Sequence, residues 1–146
     1  MHLRSDGNGA FLTALLTPGE QHDSTALVPL MEQGQVARPG KGRPCLRPRR
    51  LCGDKAYSSR AIRSYLRGHG IAVTIPRKEN QRRRGPFDPA IYRRRNCIER
   101  LINTFKQSRR IATRYEKRGF NYHAMWLIGA ILFWLKRLER AFANTL

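Results

Sequence analysis

The stretch Ile91-Tyr92-Arg93-Arg94-Arg95-Asn96-Cys97-Ile98-Glu99-Arg100-Leu101-Ile102-Asn103-Thr104-Phe105-Lys106 carries one acid among many bases. Its apolar residues Ile91, Ile98, Leu101, Ile102 and Phe105 recur at the spacings of a helix buried along one side. At about 100° per residue, Tyr92, Arg95, Glu99 and Lys106 share a strip roughly 60° wide beside that apolar face. Glu99 is therefore expected at the edge of a core, with Arg95 one turn before it and Lys106 two turns after. A carboxylate so placed suits a site that holds metal and phosphate together. An i,i+4 ion pair between Arg95 and Glu99 on a solvated helix fits the same spacing, and spacing alone leaves both readings open.

Outward from this stretch, charge narrows the choice of partner. The 146 residues include 29 Lys and Arg against 10 Asp and Glu, a formal charge of +19 with a pI near 11.4. Such a balance points to a polyanion, because each base that neutralises a phosphate adds binding through counterion release. Nucleic acid is the expected partner. The charge runs at Arg47, Arg49 and Arg50, at Arg82, Arg83 and Arg84, and at Arg93 and Arg94 are the candidate grips on its backbone. Cys45, Cys52 and Cys97 form no CxxC pair and lie near no histidine cluster, which indicates neither zinc nor a disulfide framework and a reduced cytoplasmic setting. The apolar run from Ala124 to Leu135 falls short of the roughly 20 residues that a membrane span needs, so it reads as a buried helix.

In chain order, Met1 to Arg4 and Phe11 to Thr17 read as strands joined by the turn Asp6-Gly7-Asn8-Gly9. Asp23 or Ser24 caps a helix running to Gln33, and a Gly-, Pro- and Arg-rich loop fills residues 34–50. Leu51-Cys52 is a short strand ending at Gly53-Asp54, and Ser58 or Ser59 caps a helix over Arg60 to Arg67. Asp54 thus stands at the carboxyl end of a strand and before a helix, where open α/β sheets gather ligands. Ile71 to Ile75 is a β-branched strand closed by Pro76. Asp88 caps the opening helix with Pro89 in its first turn, and a last helix from about Tyr122 has Trp126, Leu127, Ala130, Ile131 and Trp134 as its core residues. The order is that of a mixed α/β protein.

The run Tyr92, two residues, Arg95, three residues, Glu99, six residues, Lys106 resembles the signature of bacterial insertion-sequence transposases of the DDE class. Gly53-Asp54-Lys55-Ala56-Tyr57 resembles the segment that carries the second aspartate of that group, and the resemblance extends from Met1 to about Leu135. It implies a ribonuclease H-like mixed sheet flanked by helices, here lacking its first strand and with it the first catalytic aspartate. Within that frame, residues 1–33 form a hairpin and helix, 34–50 a basic loop, 51–110 the catalytic core and 111–146 the carboxyl-terminal helices of one partial domain. By the same resemblance Asp54 and Glu99 are catalytic and hold Mg2+ (or Mn2+), Arg95 and Lys106 position phosphate, and Tyr92 packs at the strand margin. The implied partners are double-stranded DNA at the element ends and target, an upstream reading-frame product, and a second copy of the chain when active. The setting is cytoplasmic and nucleoid-associated, with no membrane. The expected function is metal-dependent DNA cleavage and strand transfer in transposition, by a chain inactive alone. The alternative is a non-catalytic basic DNA-binding remnant of a mobile element; a ribosomal or RNA-binding protein would explain the charge but not the ordered acids.

Overall fold

The structure is a computed structural model that describes residues 1–34, 36, 40–42, 47–81 and 87–144. Its first unit is an antiparallel hairpin of β1 (His2–Ser5) and β2 (Phe11–Leu15), in register at His2↔Leu15 and Arg4↔Thr13. The turn forms as its residues demand. Asp6 Oδ1 accepts from the backbone N–H of Asn8 and Ala10, both at 2.8 Å, and Gly9 takes φ +78°, a conformation that residues with a Cβ rarely adopt. In β1 the side chains turned to the interior are His2 and Arg4, not its apolar neighbours. Arg4 lies behind the hairpin and donates to the carbonyls of Met31 and Gly34, each at 2.9 Å, satisfying the end of α1 (Leu27–Gln33).

A second unit follows, in which β3 (Arg50–Cys52) and β4 (Ala72–Thr74) pair in parallel and are joined through α2 (Arg60–Gly68). Ser59 caps α2 by accepting from the Ile62 N–H. At the other end Gly70 (φ +69°) donates to the Arg67 carbonyl and Ile71 to that of Leu66, a two-bond glycine stop that turns the chain into β4. After the last loop come α3 (Pro89–Arg93), capped by Asp88, then α4 (Asn96–Lys106), α5 (Arg109–Ala112) and α6 (Gly119–Ala143). The fold is mixed α/β, and no described helix is long and apolar enough to cross a membrane.

Two cores result. Phe11 and Ala14 of β2 pack with Leu101, Phe105, Ile111, Trp126 and Ala130 from the last three helices. Leu27 and Met31 of α1 pack with Ile62, Leu66, Ile71 and Ile75 around the parallel pair. Each sheet has only two strands among the described residues, and an open cleft of about 400 Å³ lined by Leu3, Leu51, Ile91 and Ile98 separates β1 from β3.

Four expectations need correction. The helix read across residues 91–106 is broken: successive i→i+3 bonds, Arg94 N–H to Ile91 O, Arg95 to Tyr92, Cys97 to Arg94 and Ile98 to Arg95, tighten the chain between α3 and α4. Of its apolar stripe only Leu101 and Phe105 reach full burial, because Ile91 and Ile98 face the cleft. The turn before α1 is capped by His22, whose Nδ1 accepts from Ser24 N–H, and not by Asp23 or Ser24. On α6, Trp126 and Ala130 are core, Leu127 and Ile131 are exposed, and Trp134 is half-buried against the hairpin, its indole N–H donating to the Phe11 carbonyl at 3.1 Å.

Leu66, 0 % exposed, tests the second core. Leu66→Ala is expected to lower the unfolding free energy by about 2–5 kcal/mol, read by denaturant titration. A loss below about 1 kcal/mol would mean that the parallel pair and α2 do not fold as one packed body.

Candidate active site

Asp54 is positioned by the end of β3. The Gly53 N–H donates to the Thr74 carbonyl at 3.3 Å, carrying the β3–β4 ladder one residue further. A Cβ on Gly53 would come within 3.2 Å of Ile75 Cγ1, so glycine lets this strand end lie close against Ile75. Asp54 then leaves the sheet in an extended conformation, and its Oδ1 accepts from the Lys55 N–H to cap the 3-10 turn Lys55–Tyr57.

Arg95 arrives from the tight turn between α3 and α4. One of its terminal nitrogens donates to Asp54 Oδ2 at 3.3 Å and the other to Glu99 Oε1 at 2.6 Å. One guanidinium thus clasps a carboxylate from the strand end and a carboxylate from the facing helix. The Arg95 side chain is 22 % exposed, and the two acids are about half exposed. Asp54, Arg95 and Glu99 are the sequence-selected residues brought together. Tyr92 packs on Phe87 with ring centroids 5.5 Å apart, and Lys106 is exposed at the end of α4, away from the acids.

Asp54 and Arg95 also line a second cleft, of about 380 Å³, whose far wall comes from the hairpin. There His2 and Tyr57 join the two units: His2 Nδ1 lies 2.6 Å from the Tyr57 hydroxyl and Nε2 lies 2.9 Å from Thr17 Oγ1. Burial, helped by the negative charges of Asp23 and Asp54, pushes the Tyr57 phenol up to about 12. The phenol thus stays protonated, and Tyr57, His2 and Thr17 form one hydrogen-bonded chain along the cleft wall. Burial also lowers the His2 pKa, with the nearby amino terminus acting in the same sense and Asp23 opposing it. Sequence reasoning missed His2, Thr17 and Asp23 as cleft residues, because strand alternation there favours Met1 and Leu3 as the inward pair.

Of the expected phosphate grips, Arg47, Arg49, Arg50, Arg93 and Arg94 are exposed. Arg50 is partly committed, donating to Thr74 Oγ1 at 2.9 Å. Arg82, Arg83 and Arg84 lie outside the described residues. Among the described residues no group of three or more His, Cys, Asp or Glu side chains is gathered for a metal ion. Asp54 and Glu99 supply hard oxygen donors, and magnesium is ordinarily held by one or two carboxylates with phosphate and water completing its shell. The pair fits that ion in number and chemistry.

Residues 1–135, which include Asp54, Arg95 and Glu99, match the family of the transposase DDE domain. The chain belongs to that family. It is 31 % identical over 140 residues to a putative transposase for the insertion sequence element IS402 from Burkholderia cepacia. That match takes in 96 % of this chain and 64 % of the relative's length. No solved structure matches.

Tyr57 gives the site a measurable signature. Its folded pKa of about 12 stands above the ordinary tyrosine value of about 10, so its contribution to stability is whole below pH 10 and is lost as pH rises through 12. Absorbance titration should show one tyrosine ionising well after the exposed ones. Tyr57→Phe should remove that late step and flatten the alkaline loss of stability. A wild-type protein whose tyrosines all ionise together near pH 10 would mean that the His2–Tyr57 contact does not form in solution.

Proposed function

We propose that the chain is the larger part of a metal-dependent DNA strand transferase, with Asp54 and Glu99 as its second and third metal-holding carboxylates. The observation that carries this reading is the Arg95 clasp, which draws the ends of two separate packed units onto one point. In the reaction a hydroxyl oxygen attacks phosphorus and the bond to the leaving 3′ oxygen breaks, so the demand on the protein is positioning and charge rather than covalent chemistry. Asp54 and Glu99 would hold a divalent metal ion, which when bound would supply charge neutralisation to the reacting phosphate. Arg95 orients the two carboxylates and offers a guanidinium to the phosphate; the exposed bases Arg47, Arg49, Arg93 and Arg94 hold the backbone on either side. Tyr92 packs under the Arg95 turn, and Lys106 contacts DNA further along α4.

The cleft between β1 and β3 supports the second half of the proposal. Two sheet edges face an apolar groove in which a strand would pair, completing one mixed sheet of the ribonuclease H-like kind. A strand from polypeptide outside residues 1–146 seats there and brings the first carboxylate beside Asp54. The chain by itself is then expected not to cleave DNA, while a product carrying that strand does. The competing reading, a DNA-binding remnant without catalysis, predicts DNA binding but no metal linkage.

Calorimetric titration with Mn2+ separates them. Asp54→Asn and Glu99→Gln should each weaken Mn2+ binding by roughly tenfold or more, with little change in melting temperature because both side chains are half exposed. If Glu99→Gln leaves Mn2+ binding as it was, Glu99 is a surface ion-pair member and the site assignment fails. Binding to duplex DNA should weaken with salt at a slope of about −0.9 per phosphate contacted, and the same two substitutions should leave that slope intact. A binding curve flat between low and physiological salt would remove DNA backbone as the partner.

A further inference from the structure

Helix α4 ends at Lys106, and the segment from Arg109 to Arg118 that follows it sets five basic side chains and one acid around a single tyrosine. Tyr115 is 53 % exposed, more than any other tyrosine of the chain. The segment that presents it is nonetheless anchored. Ile111 is buried in the first core, and its carbonyl accepts from the Tyr122 hydroxyl at 3.1 Å. Arg114 lies on the Tyr122 ring, with its central carbon 5.5 Å from the centroid, and donates to the Glu116 carbonyl at 3.2 Å. The Glu116 carboxylate stands 3.9 Å from Arg110, so the one acid of the segment is turned to a base within it.

Arg109 sets the direction of the exposed ring. Its Nε donates to the Tyr115 hydroxyl at 2.9 Å, while its central carbon stands 5.8 Å from the ring centroid. The two distances together put the guanidinium beyond the hydroxyl end of the ring, where it orients the ring without covering a face. An aromatic face held in water among Arg109, Arg110, Arg114, Lys117 and Arg118 is more than phosphate requires, because phosphate asks only for charge and N–H donors. A nucleobase asks for a flat π-surface beside that charge, and it stacks there whatever its identity. Inside a duplex both faces of a base are covered by its neighbours, so the base that fits is an unpaired one. We propose that Tyr115 is a stacking platform for an unpaired base of single-stranded DNA, with the flanking phosphates on Arg110, Arg114, Lys117 and Arg118. The inference rests on DNA as the partner in the reading above, but not on the metal-holding pair. Single-stranded DNA at an end is what strand cleavage leaves behind.

The test uses the 146-residue chain without divalent metal, so that Asp54 and Glu99 play no part in the result. A blunt duplex is compared with the same duplex carrying a short single-stranded overhang, whose first unpaired base is a fluorescent purine. The wild type is expected to bind the overhang more tightly than the blunt duplex by roughly 5- to 100-fold, and to quench the purine. Tyr115→Ala should abolish both the advantage and the quenching, while leaving affinity for the blunt duplex within about threefold. Tyr115→Phe loses the Arg109 hydrogen bond but keeps the ring, and should retain the advantage. Tyr115 belongs to neither core, so the circular dichroism of both variants should match the wild type, which separates loss of stacking from loss of fold. An overhang advantage that survives Tyr115→Ala overturns the inference, and so does an equal loss on both duplexes, which would make Tyr115 a prop for the basic side chains. A wild type that binds both duplexes equally leaves DNA as the partner and removes the stacking; a chain that binds neither removes both.

Discussion

Among the described residues no backbone hydrogen bond joins the β1–β2 sheet to the β3–β4 sheet. The relation between the two units therefore rests on side chains that cross the gap: Arg4 of β1 on the Met31 and Gly34 carbonyls, the His2–Tyr57 hydrogen bond, and the Arg95 clasp. Everything at the site follows from that division. Asp54 belongs to the unit cored by Leu66, Glu99 to the unit cored by Phe105, and the point where their carboxylates meet one guanidinium is also the point where the two cores are tied. A site between two bodies can be reshaped by small shifts of either, whereas one inside a single core could not.

Magnitudes set how firm that tie is. The acids in the clasp are half exposed, and exposed ion pairs of this kind are worth about 0–1 kcal/mol, reduced further by salt. His2 and Tyr57 hold more tightly, because both rings are largely enclosed and each imidazole nitrogen has a partner. The part-buried bond thus fixes the geometry more firmly than the exposed ion pairs, whose carboxylates and guanidinium are able to exchange partners. Arg95 costs little to release from either acid.

What could be read from the sequence was whatever its local chemistry dictates. The hairpin was legible because Asp6 and Gly9 leave the chain few alternatives, and α2 because Ser59 and Gly70 start and stop it. Asp54 was placed at a strand end by the short apolar run Leu51-Cys52 before it, and the pairing with Glu99 by the resemblance, not by periodicity. Periodicity misled at two places for related reasons. A hydrophobic stripe says which residues avoid water but not what covers them, so Ile91 and Ile98 were assigned to a core and instead line a cleft, and Ile131 was assigned to a core and instead lies on the outside of α6. The tightening at Arg94 and Arg95 was not visible either, since three-residue and four-residue turns share the same local composition. His2 and Arg4 defeat the pattern altogether: polar side chains buried in a strand are satisfied by partners tens of residues away, which no local reading supplies.

The apolar surfaces left over have one physical origin. Two small cores in a 146-residue chain cannot cover a 25-residue helix and both edges of two short sheets, so burial is incomplete at the β1–β3 cleft and along the outer face of α6. The two surfaces differ in how they are built. The cleft lies between two short sheets and is walled by the apolar side chains of Leu3, Leu51, Ile91 and Ile98. The α6 face comes from a helix whose backbone is already paired within itself. The two surfaces lie on different elements, so substitutions on the outer face of α6 should leave the Asp54–Arg95–Glu99 clasp untouched.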